Sequence, residues 1–189
     1  MLMKSRCRRV FLSSALTAAL FSATFNSATA QEPIFDEARF GVLASIDDGH
    51  HEDGVFATGM LFFDPWSHDE AQGIDKLLRP RIHVGGSLST AGETSQVYAG
   101  LSWTADLTDR LFLEVGVGGA IHDGDLDDDG GSGPALGCRL LFHEYAAAGF
   151  KLTDNWRIAA QVEHSSHAEL CDGPNDGLSH AGVMLGYKF

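Results

Sequence analysis

From residue 37 onward the chain is dominated by apolar and polar residues alternating with period two, the mark of strands with one greasy face. Between Glu37 and Ile46 the apolar set is Ala38, Phe40, Val42, Ala44 and Ile46, opposite Glu37, Arg39 and Ser45. Ile82, Val84 and Leu88 oppose Arg81, His83 and Ser87 in the same way, and Val97, Ala99, Leu101, Trp103 and Ala105 form one face of the next segment. Leu111, Leu113, Val115, Val117 and Ile121 oppose Glu114 and His122, while Leu140, Phe142, Ala146, Ala148 and Phe150 within Leu136–Phe150 oppose Arg139, His143 and Tyr145. Trp156, Ile158, Ala160 and Val162 alternate with Arg157, Gln161 and Glu163. A last segment sets Ala181, Val183, Leu185, Tyr187 and Phe189 against Gly182, Met184, Gly186 and Lys188, and residues 54–63 supply one further, less regular, apolar strand.

Eight strands of about ten residues each have the length that a tilted strand needs to cross a bilayer. Within lipid only closure satisfies every backbone N–H and C=O, so the pattern predicts an all-β fold, an eight-stranded antiparallel transmembrane β-barrel. The placement of charge supports this. Arg39, Arg81, Glu114, Arg139, Arg157 and Glu163 share the face opposite the apolar one, which suits a small lumen filled by side chains. The rival, a soluble barrel of lipocalin type, needs apolar residues inside and charges outside. Two features break the regularity. Glu144 falls on the apolar parity of its strand, which predicts a bulge there, and residues 64–79 are long for a turn.

The first thirty residues read as an export signal. Lys4, Arg6, Arg8 and Arg9 precede an apolar run from Val10 to Phe25, and Ala28-Thr29-Ala30 offers a small-x-small cleavage site. The expected organisation is therefore a cleaved signal over 1–30 and a barrel domain over 31–189. Cleavage removes four basic and no acidic residues, taking the formal charge from −13 to −17. Such an acidic chain excludes nucleic-acid binding, which depends on clustered Lys and Arg. Cys7 leaves with the signal, so Cys138 and Cys171 remain as a pair in an oxidising compartment, where either a disulfide or two free thiols fit the sequence. With the N-terminus on the periplasmic side, residues 106–109 and 152–155 become short inner turns. The longer 47–53, 122–135 and 164–180 connections then face outward, and the terminal Phe189 resembles an outer-membrane assembly signal.

One stretch carries chemistry. In the segment ending Glu163-His164-Ser165-Ser166-His167-Ala168, His164 and Ser166 share the phase of Trp156, Ile158, Ala160 and Val162. They therefore emerge on the lipid-facing wall near its outer end, about 6.6 Å apart along one face. A base beside a serine is the minimum for an activated nucleophile, and the esters within reach there belong to lipid. Ser165 has the opposite parity and points inward.

These residues, with Pro174-Asn175-Asp176-Gly177 and the closing strand to Phe189, resemble the lipid A 3-O-deacylase (PagL-type) family, eight-stranded outer-membrane barrels with an H-x-S-N-A motif followed by N-x-G. Arg81–Trp103 and Leu111–Gly124 resemble the body of that family as well, so the likeness spans most of the expected mature chain. It implies an outer-membrane ester hydrolase acting on lipid A of lipopolysaccharide through a Ser–His–Glu triad on the barrel exterior, without a cofactor. Carried over, Ser166 is the nucleophile, His164 the base and Asn175 an oxyanion donor. The chain departs from the pattern twice. His167 stands where the motif has Asn, and the third triad position, four residues after Asn175, is Ser179. A serine accepts a bond from the imidazole but cannot balance imidazolium. In the serine-protease template, neutralising that acid costs on the order of 10⁴ in turnover. Glu169, Asp172 and Asp176 are the loop acids available to replace it. The alternative function is a catalytically impaired barrel with a structural or surface-binding role.

Two acidic loops complete the inventory. Asp125, Asp127 and Asp129 have a D-x-D-x-D-G spacing that suits Ca²⁺, although the twelfth position is Leu136 rather than Glu. Asp47–Asp53 with His50 and His51 is a second cluster of metal-ligating types. Lipid A phosphates repel so acidic a protein, so docking needs bridging divalent ions or a local basic spot. The sequence leaves a homodimer open.

Overall fold

The computed structural model describes residues 34–189 except 50, 129, 131 and 132. The expected signal, residues 1–30, lies outside the described residues, as does Asp129. The chain forms β1 (Phe35–Ser45), β2 (Phe56–Phe63), a one-turn helix α1 (Asp75–Leu78), β3 (Arg81–Ser89), β4 (Gln96–Asp106), β5 (Leu111–His122), β6 (Leu140–Lys151), β7 (Trp156–Ser166) and β8 (Leu178–Lys188). Every strand pairs antiparallel with its neighbour in sequence, and β1 closes on β8 through pairs such as Val42↔Val183. No strand is left with an unpaired edge, as a bilayer requires.

The period-two pattern sorts the side chains as expected. Val97, Val115 and Val117 are more than half exposed on the outer wall, whereas Arg39, Arg81, Glu114, Arg157 and Glu163 are buried inside. Glu114, near the inner end of β5, is the hub of the buried polar network. Arg39 donates to it from Nη1 (2.7 Å) and Nη2 (2.9 Å), Thr104 Oγ1 at 2.8 Å and Tyr145 Oη at 2.9 Å, and Arg81 bonds it as well. A carboxylate removed from water is tolerated only when its lone pairs are engaged in this way. Phe62 lies under both guanidinium groups, 4.4 Å from Arg39 and 4.5 Å from Arg81. The weak alternation of residues 54–63 now has its cause: Phe56, Met60 and Phe62 of β2 are apolar inward residues that pack with Leu43, Tyr98, Tyr145 and Met184.

Two expectations are corrected. Glu144 makes no bulge, since β6 and β7 pair without a shift from Phe142↔Ser166 to Lys151↔Arg157, and its side chain stands on the outer wall. The register shift lies instead in β1, between Phe35 and Glu37, and leaves both Asp36 and Glu37 buried. Arg139 does not face the lumen. Gly137, at φ +69°, turns the chain before β6, which begins at Leu140, so exposed Arg139 donates to the carbonyl of Gly124 at 2.6 Å.

The long 64–79 segment folds over the inner end rather than turning directly. His68 is fully buried there, its Nδ1 2.7 Å from the Arg79 carbonyl and its Nε2 accepting the Thr104 amide at 3.0 Å. At the same end Phe35 meets Phe189 at 4.5 Å and Trp156 meets Tyr187 at 5.1 Å, forming part of an aromatic girdle at the inner interface. Apart from the 64–79 segment, the longer connections, including 123–139 and 167–177, lie at the outer end, as expected.

Candidate active site on the outer wall

The site is built where β7 ends between β6 and β8. His164 and Ser166 are partly exposed, while Glu163, Ser165 and His167 between and beside them are buried, so the outward parity holds to the end of the strand. Ser165 points inward as expected, its Oγ donating to Gln96 Oε1 at 2.9 Å. Across the ladder His164 pairs with Glu144 on one side and Ser179 on the other, and Ser166 pairs with Phe142.

His164 Nδ1 lies 2.9 Å from Ser179 Oγ. With Nδ1–H donating to that oxygen, the Nε2 lone pair is left for a proton acceptor's work. Ser179 thus occupies the orienting position that its parity indicated. The hydrogen bond of His164 is to Ser179 and not to Ser166, and catalytic contacts of this kind commonly tighten only around substrate.

The β7–β8 connection is braced from both sides. Asn175 Oδ1 accepts the His167 amide at 3.0 Å, which leaves the Asn175 NH₂ as its remaining donor. His167, 2 % exposed, turns under the loop, with Nε2 3.0 Å from the Pro174 carbonyl and Nδ1 accepting the Cys171 amide at 3.4 Å. Its side chain therefore braces the loop. Cys138 and Cys171 form a disulfide with Cα atoms 6.3 Å apart, resolving the choice between bond and free thiols. Together with His167 they form a potential metal-ligand cluster among the described residues, but the disulfide takes up both sulfurs. Of the loop acids, Asp176 accepts the Ala135 amide at 2.8 Å, whereas Glu169 and Asp172 are exposed.

Three features escaped the sequence reading. Gly177 adopts φ +77°, and a Cβ there would meet His164 Cε1 at 2.8 Å, so the N-x-G glycine makes room for the imidazole. Below the site a shallow apolar groove of about 500 Å³ is floored by Ala146, Ala148, Ala160 and Ala181 and walled by Leu113, Val115 and Val162. It runs on towards Leu111, Phe150 and Ile158. Its signal in the sequence was the density of alanine on the outward parity of β6 and β7. The third feature is Asp47, which the sequence placed only in a cluster of metal-ligating residue types; its Oδ2 accepts the Ser179 amide at 2.8 Å. Glu52 of the same loop is buried in the outer mouth, 2.8 Å from His180 Nε2 and accepting the Thr94 amide. Asp125 and Asp127 are exposed on their loop.

Residues 54–188 match the lipid A 3-O-deacylase (PagL) family. The chain belongs to that family. Among solved structures it is similar to "Crystal structure of the outer membrane enzyme PagL", with TM-score 0.58 and 19% identity over 80% of this chain and 97% of that one. A second likeness, "De novo design of transmembrane beta-barrels", has TM-score 0.49 and 14% identity over 84% of this chain and 98% of that one. The comparison with curated proteins returns no match. Family and closed apolar-walled barrel together place this PagL-family chain in the outer membrane.

Proposed function

We propose that this protein hydrolyses the 3-linked acyl ester of lipid A by a serine mechanism on its outer wall. Ser166 Oγ attacks the acyl carbonyl and its proton passes to His164 Nε2. The same proton then goes to the departing sugar oxygen, leaving the acyl chain on Ser166 for water to release. The Asn175 NH₂ supports the oxyanion. The observation that carries this reading is the placement of an oriented histidine and a serine at the top of a greasy wall, directly above the alanine-floored groove. That groove suits an acyl chain lying along the barrel with its ester at Ser166.

Protein refolded in detergent and incubated with lipid A tests the reading by mass spectrometry. Loss of one 3-hydroxyacyl group, abolished by Ser166→Ala, is expected; an unchanged acyl pattern overturns it. Ser179 in the acid's position favours the second reading, a barrel whose chemistry has decayed. On that reading the wild type is inert and Ser179→Glu restores deacylation.

A further inference from the structure

We propose that Asp47 supplies the negative charge missing from position 179, acting on His164 through Ser179. The inference rests on the hydrolase reading above and explains how such a site turns over without the usual acid. A triad acid does two things: it fixes the tautomer of the imidazole, and it balances the positive charge formed when the nucleophile's proton arrives. Ser179 Oγ, 2.9 Å from Nδ1, performs the first. A neutral hydroxyl cannot perform the second.

The Asp47 carboxylate is fixed on the same residue. Its Oδ2 accepts the Ser179 amide at 2.8 Å, and the adjoining Ile46 amide donates to the Ser179 carbonyl at 2.9 Å, so residues 46 and 47 extend the β1–β8 ladder past its last pair. Ser179 thus holds the imidazole on its hydroxyl and the carboxylate on its amide. When Ser179 Oγ accepts from Nδ1–H, its own proton can turn towards this carboxylate, giving the order imidazole, hydroxyl, carboxylate. Asp47 is partly buried at the membrane rim, where opposite charges are screened less than in open water. Glu144, across the ladder on the β6 side, is the competing charge, but among the described residues no hydrogen bond or ion pair holds its carboxylate in place, and stabilisation of this kind needs a group already in position. Asp47 also lies before residue 54, where the family match begins. No proton leaves Asp47 or reaches it; the carboxylate stays ionised while the proton of Ser166 travels through Nε2 to the leaving oxygen.

Asp47→Asn keeps an acceptor for the Ser179 amide and removes only the charge. The expected result with lipid A is a kcat lower by about 10- to 100-fold at unchanged KM, with Ser179→Glu restoring turnover in the Asp47→Asn background. An unchanged kcat, a rise in KM alone, failure of Ser179→Glu to rescue, or a loss confined to Glu144→Gln each overturns the proposal. A second readout needs no turnover: in detergent-folded protein with ring-¹⁵N histidine, the His164 signals, assigned with His164→Gln, should move on Asp47→Asn and stay put on Glu144→Gln. If the wild type leaves lipid A intact while these signals move, the hydrolase reading fails and the charge relationship stands. If it deacylates while they do not move, the Asp47 proposal alone is overturned.

Discussion

Gly177 lies against the edge of His164: a methyl group on its Cα would stand 2.8 Å from Cε1 and 3.4 Å from Nε2 of the imidazole. The left-handed backbone at this position disfavours a side chain as well. Gly177→Ala should therefore push the ring off Ser179 and lower kcat at least 10-fold, while the barrel still folds and shows its usual heat-shifted mobility on denaturing gels. Wild-type turnover in this variant would show that the imidazole does not depend on that gap.

The groove gives a prediction about substrate length. Ala148 and Ala160 lie in the stretch common to its upper and lower parts. Leucine at residue 160 should block the lower part, so the variant favours short acyl chains over long ones while retaining its rate on the short. Competition between lipid A species of different chain length, read by mass spectrometry, measures the ratio.

The disulfide closes a loop with a sequence separation of 33 between Cys138 and Cys171. A loop of that size corresponds to about 4 kcal/mol of chain entropy in the usual model. Because the bond joins two rim segments and no strand, replacing both cysteines with serine should open residues 167–177 to protease and leave the transmembrane strands resistant. Equal protection with and without the bond would show that His167 and Asn175 suffice to hold the loop.

Inside the barrel, Glu114→Ala breaks buried ion pairs to two guanidinium groups, those of Arg39 and Arg81, and leaves Glu37 and Asp36 to balance them. Breaking a buried pair in this way costs about 3–5 kcal/mol. The urea midpoint for unfolding from lipid vesicles should fall accordingly, and more than for Glu169→Ala on the exposed loop.

At the inner mouth, burial opposes ionisation of Asp69, but the Lys188 ammonium, with Arg81 and Arg157 beyond it, outweighs that and holds the carboxyl below its ordinary value. A lowered carboxyl stabilises the fold above its unfolded-state range and loses that contribution as pH falls through the lowered value. Asp69→Asn should therefore be slightly less stable than wild type at pH 7, and the difference should begin to shrink below about pH 4 and vanish only once the pH lies below the lowered value. With its side chain half open to water the effect is small.

Much of this fold was legible because a membrane barrel writes its topology as parity. Val115 outside and Glu114 inside follow from adjacent positions on one strand, and the outward placement of His164 and Ser166 follows from Trp156 eight and ten residues earlier. Parity says nothing about register, so Glu144 was misread as a bulge and the true irregularity beside Asp36 was missed. Nor does it reach beyond strand ends. Arg139, the disulfide, the brace formed by His167 and the seat of Asp47 on Ser179 all depend on how the rim loops return to the barrel.

The ion-pair cluster around Glu114, with Phe62 and Phe112 packed against its guanidinium groups, fills the cylinder towards its inner end. An eight-stranded barrel whose lumen is filled by side chains in this way is not a pore, so planar bilayers carrying the protein should show no conductance. A cell could raise its abundance to remodel the leaflet without becoming leaky to antibiotics or nutrients.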